Sequence, residues 1–260
     1  MLPPYDRTDR NDILRHAKLL IGKRLAELYS PAELATTSGK GTMGQLVQSV
    51  HFGLPADNRP APDFEEAGVE LKVTGLKRLV NGELRVKERL VLSIIDFESI
   101  VHETFPKSSF LQKNALILLL CYLYEKGVSV TDLPFALADY WDLVERDLIQ
   151  LEKDWNTIVG KVKSGLAHEL SEADTLYLGA CVKGPGGDVA LRRQPFSYKP
   201  APQRALSFKP VYLNYIVNEL FRAAEEAEVE QEQQLLSAAE QPRGLEEVVL
   251  DRLEPFLGKT

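Results

Sequence analysis

The sequence predicts an α/β fold, and three observations carry that expectation. Apolar residues recur every three or four positions across 11–29 and 137–168, as along amphipathic helices. Between these segments lies 69–74, where Val69, Leu71 and Val73 alternate with Glu70, Lys72 and Thr74 as on a half-buried strand. Asn81-Gly82 then supplies the turn dipeptide of a tight hairpin. The 260 residues, 44% hydrophobic, suffice for a substantial core, as one larger domain or two modest lobes.

Taken in order, 11–29 reads as one helix carrying Ile13, Leu14, Leu20 and Leu25, broken by Ser30-Pro31. His16 within it suits packing or surface better than ligation, because no second His or Cys stands at metal-binding spacing. A glycine-rich approach at 38–44 leads into a second helix reaching about Phe52. It lacks the Gly-Lys-Ser/Thr ending of a nucleotide-binding loop, but Lys40 and backbone N–H groups at a helix start suit a phosphate as well as they suit a plain entry turn. His51 is expected to pack or cap. After the central strand, 84–96 is its antiparallel partner across the hairpin, made basic by Lys77, Arg78, Arg85, Lys87 and Arg89.

Lys113 opens the apolar run 114–122, whose length and flanks suit a buried strand, although periodicity alone leaves a helical segment open. A lysine there either snorkels or enters the site. Residues 137–168 read as one long helix or two consecutive ones, and Trp141 and Trp155 fall on its apolar positions and are expected in the core rather than as base-stacking platforms. Another strand spans 176–182. Its end runs into a glycine turn and a basic, aromatic segment containing Lys183, Arg192, Arg193, Gln203, Arg204 and Lys209, suited to DNA backbone or bases and also to a solvated loop. A helix beginning at Pro210 continues through the acidic 225–232 region, with a short extra element or loose tail from about Gln241.

Charge and composition narrow the classes. The net charge of −7 argues against a nucleic-acid protein until its distribution is read: 221–260 holds 10 acidic and 4 basic residues, leaving 28 acids and 27 bases over a nearly neutral body. Cys121 and Cys181 both lie in apolar strand-like runs, which suits buried thiols and neither a disulfide framework nor a zinc site. The apolar run 115–124 is too short to cross a bilayer, and the first residues lack the layout of a signal peptide, so a cytoplasmic protein without a membrane partner is expected.

The chemistry concentrates around 63–72. Glu70 and Lys72 share a strand face, and Asp63 enters from the loop of Pro60 and Pro62 just before. Two carboxylates and an ammonium in one place suit a hard divalent cation, which can lower the pKa of a bound water and neutralise charge on a phosphate under attack. The spacing alone is loose and occurs by chance in many sheets. The proline-rich entry, Gly68 and the hairpin give it context.

With the segments in order, the chain resembles the MutH-like endonucleases, the family of the mismatch-repair nicking enzyme and of type II restriction enzymes that cut at GATC. Five blocks carry the resemblance: Gly-Lys-Gly-Thr-Met-Gly-Gln-Leu at 39–46, Asp-Phe-Glu-Glu-Ala-Gly-Val-Glu-Leu-Lys at 63–72, Val-Lys-Glu-Arg-Leu-Val-Leu at 86–92, Tyr-Leu-Gly-Ala-Cys-Val-Lys-Gly at 177–184, and Phe-Lys-Pro-Val-Tyr-Leu-Asn-Tyr-Ile at 208–216. The last two look nearer to the restriction enzymes.

The resemblance implies a restriction-endonuclease-like core, a mixed central β-sheet flanked by helices, with two lobes around a DNA-binding cleft. An endonuclease domain over 1–220 would divide into a catalytic lobe to about 125 and a recognition lobe from 126, followed by an acidic helical extension over 221–260. Asp63 and Glu70 match the family's metal-binding carboxylates, Lys72 its catalytic lysine and Lys113 a second active-site lysine on the following strand. Lys183 and the stretch from Gln203 through Arg204 and Ser207 to Lys209 fall where the family approaches DNA. Gln48 stands where the family usually presents a glutamate, which puts the number of Mg2+ (or Mn2+) ions in question. The implied activity is sequence-specific cleavage of double-stranded DNA at or near GATC, leaving 5′-phosphate and 3′-hydroxyl ends, with two chains acting together on a palindromic site. A mismatch-repair nickase and a non-catalytic DNA-binding module are the rivals.

Overall fold

A computed structural model of the chain describes residues 4–35, 43–55, 59–183 and 190–240. Two compact units are present, Met1–Asn218 and Glu219–Thr260. Within the first, α1 (Arg10–Lys18), the single turns α2 (Leu25–Leu28) and α3 (Pro31–Leu34), and α4 (Met43–Leu46) with a π-turn at Val47–His51 precede the first strand. Four strands form a mixed sheet in the order β2-β1-β4-β5: β1 (Glu70–Arg78), β2 (Leu84–Val86), β4 (Leu116–Leu123) and β5 (Phe135–Asp142). β1 is parallel to β4, and the other two pairings are antiparallel. The mixed sheet flanked by helices is therefore present.

β4 shows why 114–122 is so uniformly apolar. Leu118, Leu120 and Tyr122 pack on one side into a cluster with Ile13 and Ala17 of α1, Leu46, Val47 and Phe52, while Ile117, Leu119 and Cys121 are buried on the other. A strand covered on both faces has no polar side to alternate with. Val69 and Leu71 enter the first cluster, turning Glu70 and Lys72 the opposite way.

A second, antiparallel sheet has the order β3-β9-β6, from β3 (Leu90–Ile94), β6 (Leu178–Val182) and β9 (Arg204–Phe208); β7 (Leu191–Gln194) and β8 (Ser197–Pro202) make a separate ribbon. Helices α5 (Phe97–Ile100), α6 (Ser109–Asn114) and α7 (Glu145–Lys163) link the strands, and α8 covers Pro210–Glu240. In the second unit Arg222 pairs with Glu219 at 2.6 Å and Glu226 at 3.8 Å. No described helix is long and apolar enough to cross a membrane.

Four sequence expectations require correction. The helix over 11–29 breaks after α1, because Gly22, at φ +74°, turns the chain so that its N–H donates to the Phe135 carbonyl at 2.8 Å. The segment beside β5 gains sheet hydrogen bonds that a continuous helix would forgo. The helix over 137–168 begins only at Glu145. Residues 135–142 are β5, with Trp141 opposite Ile117, because β4 needs an antiparallel neighbour on that edge and a short apolar run fits either period. The arm 84–96 divides: β2 stays with β1, whereas β3 pairs with β9. Lys113 lies on α6, two residues before Ala115 hands the chain to β4, rather than on the strand. Trp155 is buried in the core as expected, Trp141 donates to the Tyr212 hydroxyl at 3.2 Å, and His16 and His51 stack with centroids 4.3 Å apart.

Candidate active site

A short turn builds the site. Phe64 and Val69 form an isolated antiparallel bridge, and Gly68 closes the turn between them at φ +66°, a conformation that a side chain would strain. The turn brings Asp63 back beside the start of β1. There the Asp63 N–H donates to Glu70 Oε2 at 3.1 Å, and the Leu71 N–H donates to Asp63 Oδ2 at 3.0 Å. Each acid is thus fixed by the backbone of the other's segment.

Three further side chains converge. Lys72 Nζ donates to Glu70 Oε1 at 2.5 Å, and Lys113 Nζ stands 3.7 Å from the same oxygen. Lys113 also donates to the Arg59 carbonyl at 2.6 Å and the Ala61 carbonyl at 3.1 Å, so it pins the loop that delivers Asp63. From the π-turn, Gln48 donates its amide N–H groups to Asp63 Oδ1 and the Pro55 carbonyl, both at 3.0 Å. Glu70 is 1% exposed, and burial pushes its carboxyl above the usual range; Lys72 opposes the shift, the neighbouring Asp63 adds to it, and Lys113 opposes it again.

Such a donor set fits a hard cation. Asp63 and Glu70 offer oxygen and no soft ligand, and no cluster of three or more His, Cys, Asp or Glu side chains suited to a metal forms among the described residues. Two carboxylates would need the Gln48 amide oxygen, a backbone carbonyl or water to complete an octahedral shell. Gln48 here turns its nitrogen to Asp63, so ligation requires that amide to rotate.

The site opens into a cleft between the two sheets. One cavity of about 800 Å³ is lined by Gln48, Asp63, Glu70, Lys72, Lys113, Lys183 and Gln203, and an adjoining one of about 840 Å³ shares Gln48, Lys72 and Lys183 and continues past Arg89, Glu172 and Arg204. Sequence-predicted catalytic and metal residues therefore meet in one place, with Lys183 and Gln203 on the facing wall.

The other sequence-predicted DNA contacts are more scattered. Lys87 lies over the Tyr124 ring, 4.4 Å from its centroid. Gln203 accepts two hydrogen bonds from the Arg192 guanidinium, at 3.0 and 2.8 Å. Arg204 is 9% exposed and donates to the Ala180 carbonyl at 3.0 Å; Ser207 is fully buried on β9; and Lys209 donates to the carbonyls of Glu172 and Thr175. In this conformation Ser207 and Lys209 face structure rather than the cleft. Lys40 lies outside the described residues. Sequence reasoning passed over Glu172 and the loop carbonyls that hold Lys113, neither of which has a local signature.

Comparison with known proteins brings out one group of similar sequences. A family model described as "DNA mismatch repair enzyme MutH" matches residues 52–154, which contain all of the first sheet together with Asp63, Glu70, Lys72 and Lys113, but not Gln48, Lys183 or Gln203. The type II restriction enzyme Sau3AI of Staphylococcus aureus is 34% identical over 256 residues, an alignment that takes in 93% of this chain and 48% of that protein. This chain thus spans about half the length of that relative. The DNA mismatch repair protein MutH of Shewanella amazonensis is 28% identical over 175 residues, covering 65% of this chain and 74% of the relative, and that of Shewanella woodyi is 25% identical over 178, covering 66% and 74%. By these matches the chain is similar to the MutH-like endonucleases, and its own core is a mixed β-sheet flanked by helices.

Proposed function

We propose that the chain is a Mg2+-dependent, sequence-specific DNA endonuclease, a type II restriction enzyme cutting at or near GATC, with Mn2+ as an alternative ion. The observation that carries this reading is the convergence of Asp63, Glu70 and Lys72, with Lys113, at the floor of a cleft. The two sheets would serve as catalytic and recognition lobes.

The bound cation would supply positive charge against the phosphate and acidify water nearby. Asp63 and Glu70, locked by the reciprocal backbone bonds, would hold it. Lys72 has its ammonium on Glu70; shifting from it and giving up a proton to solvent, the resulting amine would orient the attacking water and take up its proton, while the departing O3′ is protonated from solvent. Lys113 keeps the 59–61 loop in place while carrying positive charge to the same carboxylate. The new bond runs from water oxygen to phosphorus, the bond from phosphorus to O3′ breaks, and the ends are a 5′-phosphate and a 3′-hydroxyl. Lys183 and Gln203 would approach the duplex from the facing wall, with Lys87 and Lys40 on the backbone.

With one catalytic set among the described residues, cutting both strands of a palindrome would take two copies on the DNA or two successive nicks. Incubating plasmids of known sequence and methylation state with the protein and Mg2+, then sequencing the ends, tests the reading. Breaks at GATC support it, and cleavage unaltered in Lys72→Ala refutes it. A mismatch-repair nickase is the second reading, supported by the match to MutH over the catalytic sheet; strict dependence on an added mismatch-repair partner would favour it.

A further inference from the structure

Arg89 and Glu172 form an ion pair inside the second cavity of the cleft. Arg89 comes from the link between β2 and β3, and Glu172 opens the 3-10 turn Glu172–Asp174, 83 residues away. The same cavity holds Lys72, which the proposed function places at the attacking water, and Lys183, which it sets along the path of the duplex. A carboxylate in that path is unexpected, since it repels phosphate.

The local construction separates the two ends of Glu172. Its backbone is fastened: the Lys209 ammonium donates to its carbonyl at 2.7 Å and to that of Thr175 at 2.5 Å, while the Ser171 hydroxyl caps the turn. Its carboxylate is tied to this partly exposed guanidinium, the two side chains being 40% exposed for Arg89 and 29% for Glu172. A carboxylate and a phosphate present the same paired oxygens to the guanidinium fork. An exposed pair of this kind is weak enough to exchange.

Resting on the endonuclease reading, we infer that Glu172 is an internal stand-in for a DNA phosphate: it occupies Arg89 in the free protein and yields the guanidinium to the backbone of a bound duplex. Glu172 thereby sets how tightly the cleft holds any DNA, and Arg89 is a backbone-contacting residue only when released.

The test is a double-mutant cycle read as equilibrium binding of a 20-base-pair duplex in EDTA, where no strand is cut, across a range of salt. Glu172→Gln keeps the shape and removes the competitor. Its affinity should rise about fivefold, the range of an exposed ion pair, and its dependence on log salt should steepen by up to about one unit per phosphate gained. Arg89→Ala should bind more weakly, and adding Glu172→Gln to Arg89→Ala should restore nothing. If Glu172→Gln leaves affinity and salt dependence unchanged, or raises affinity equally in the Arg89→Ala background, the inference is overturned, the second result being mere loss of a negative charge. Wild-type protein that binds no duplex would instead refute the endonuclease reading beneath it. Thermal unfolding of each variant, expected within a few degrees of wild type, verifies that the fold is intact.

Discussion

The amide of Asp63 donates to the Glu70 carboxylate at 3.1 Å, and the amide following Glu70, that of Leu71, donates back to Asp63. Two acids that would repel as bare charges are thereby held at the spacing of a single turn, each stabilised by a backbone dipole.

Lys72 gives the sharpest prediction. Lys72→Ala removes the ammonium on Glu70 Oε1 without touching the loop, so duplex binding in EDTA should stay close to wild type while the single-turnover cleavage rate falls about 100-fold or more, the range for a positioned proton-transfer group.

Lys113→Met should act by a different route. The methionine fills the space of the stem but leaves the Arg59 and Ala61 carbonyls without their charged donor. Loss of hydrogen bonds to a charged group at this partly buried position should lower stability by roughly 1–3 kcal/mol. More Mg2+ should be needed for half-maximal cleavage, because Asp63 is no longer presented in one place. A Mg2+ titration beside a urea unfolding curve measures both.

Gln48→Glu should separate two effects of charge. Without a cation, the new carboxylate replaces a donor to Asp63 with a repelling neighbour, so Tm in EDTA should drop. With Mg2+ present, the added oxygen charge should lower the Mg2+ concentration for half-maximal cleavage about tenfold or more. Equal Mg2+ requirements in both proteins would place Gln48 outside the cation's reach.

The stacked histidines predict an acid-sensitive fold. Burial, with the charge of the adjacent His16, pushes His51 down to about 3, and burial lowers His16 as well. A histidine depressed in the folded state adds stability above its unfolded pKa near 6.5, and loses it as pH falls toward 3. The His51 ring meets Tyr29 at Nδ1 and the His16 carbonyl at Nε2, and His16 stacks on Tyr5, so no carboxylate among these contacts offsets a proton. The difference in unfolding free energy between pH 7 and pH 4 should shrink by roughly 2–4 kcal/mol in His51→Gln.

The central site was legible because its parts are local: Glu70 and Lys72 are two apart, and Asp63 is returned by a turn whose Gly68 is visible in the sequence. Gln48 came from the family resemblance, which also settled a choice the residues left open for Lys113, and the structure shows what each touches, one Asp63 and one the loop before it. What stayed hidden depends on distant pairing. Nothing near 90–94 announces β9 more than a hundred residues later, and nothing within 135–142 distinguishes a strand from the first turns of a helix until β4 claims it. Ser207 and Lys209 share a basic segment with Gln203, but the pleat and the end of β9 direct them to different surroundings.

The division of 84–94 between two sheets has a mechanical consequence. β2 is hydrogen-bonded into one wall of the cleft and β3 into the other, with only Lys87, Glu88 and Arg89 between them. A tether that short holds the two walls within three residues of one another at that end, so any widening of the cleft has to pivot beside the Arg89–Glu172 pair.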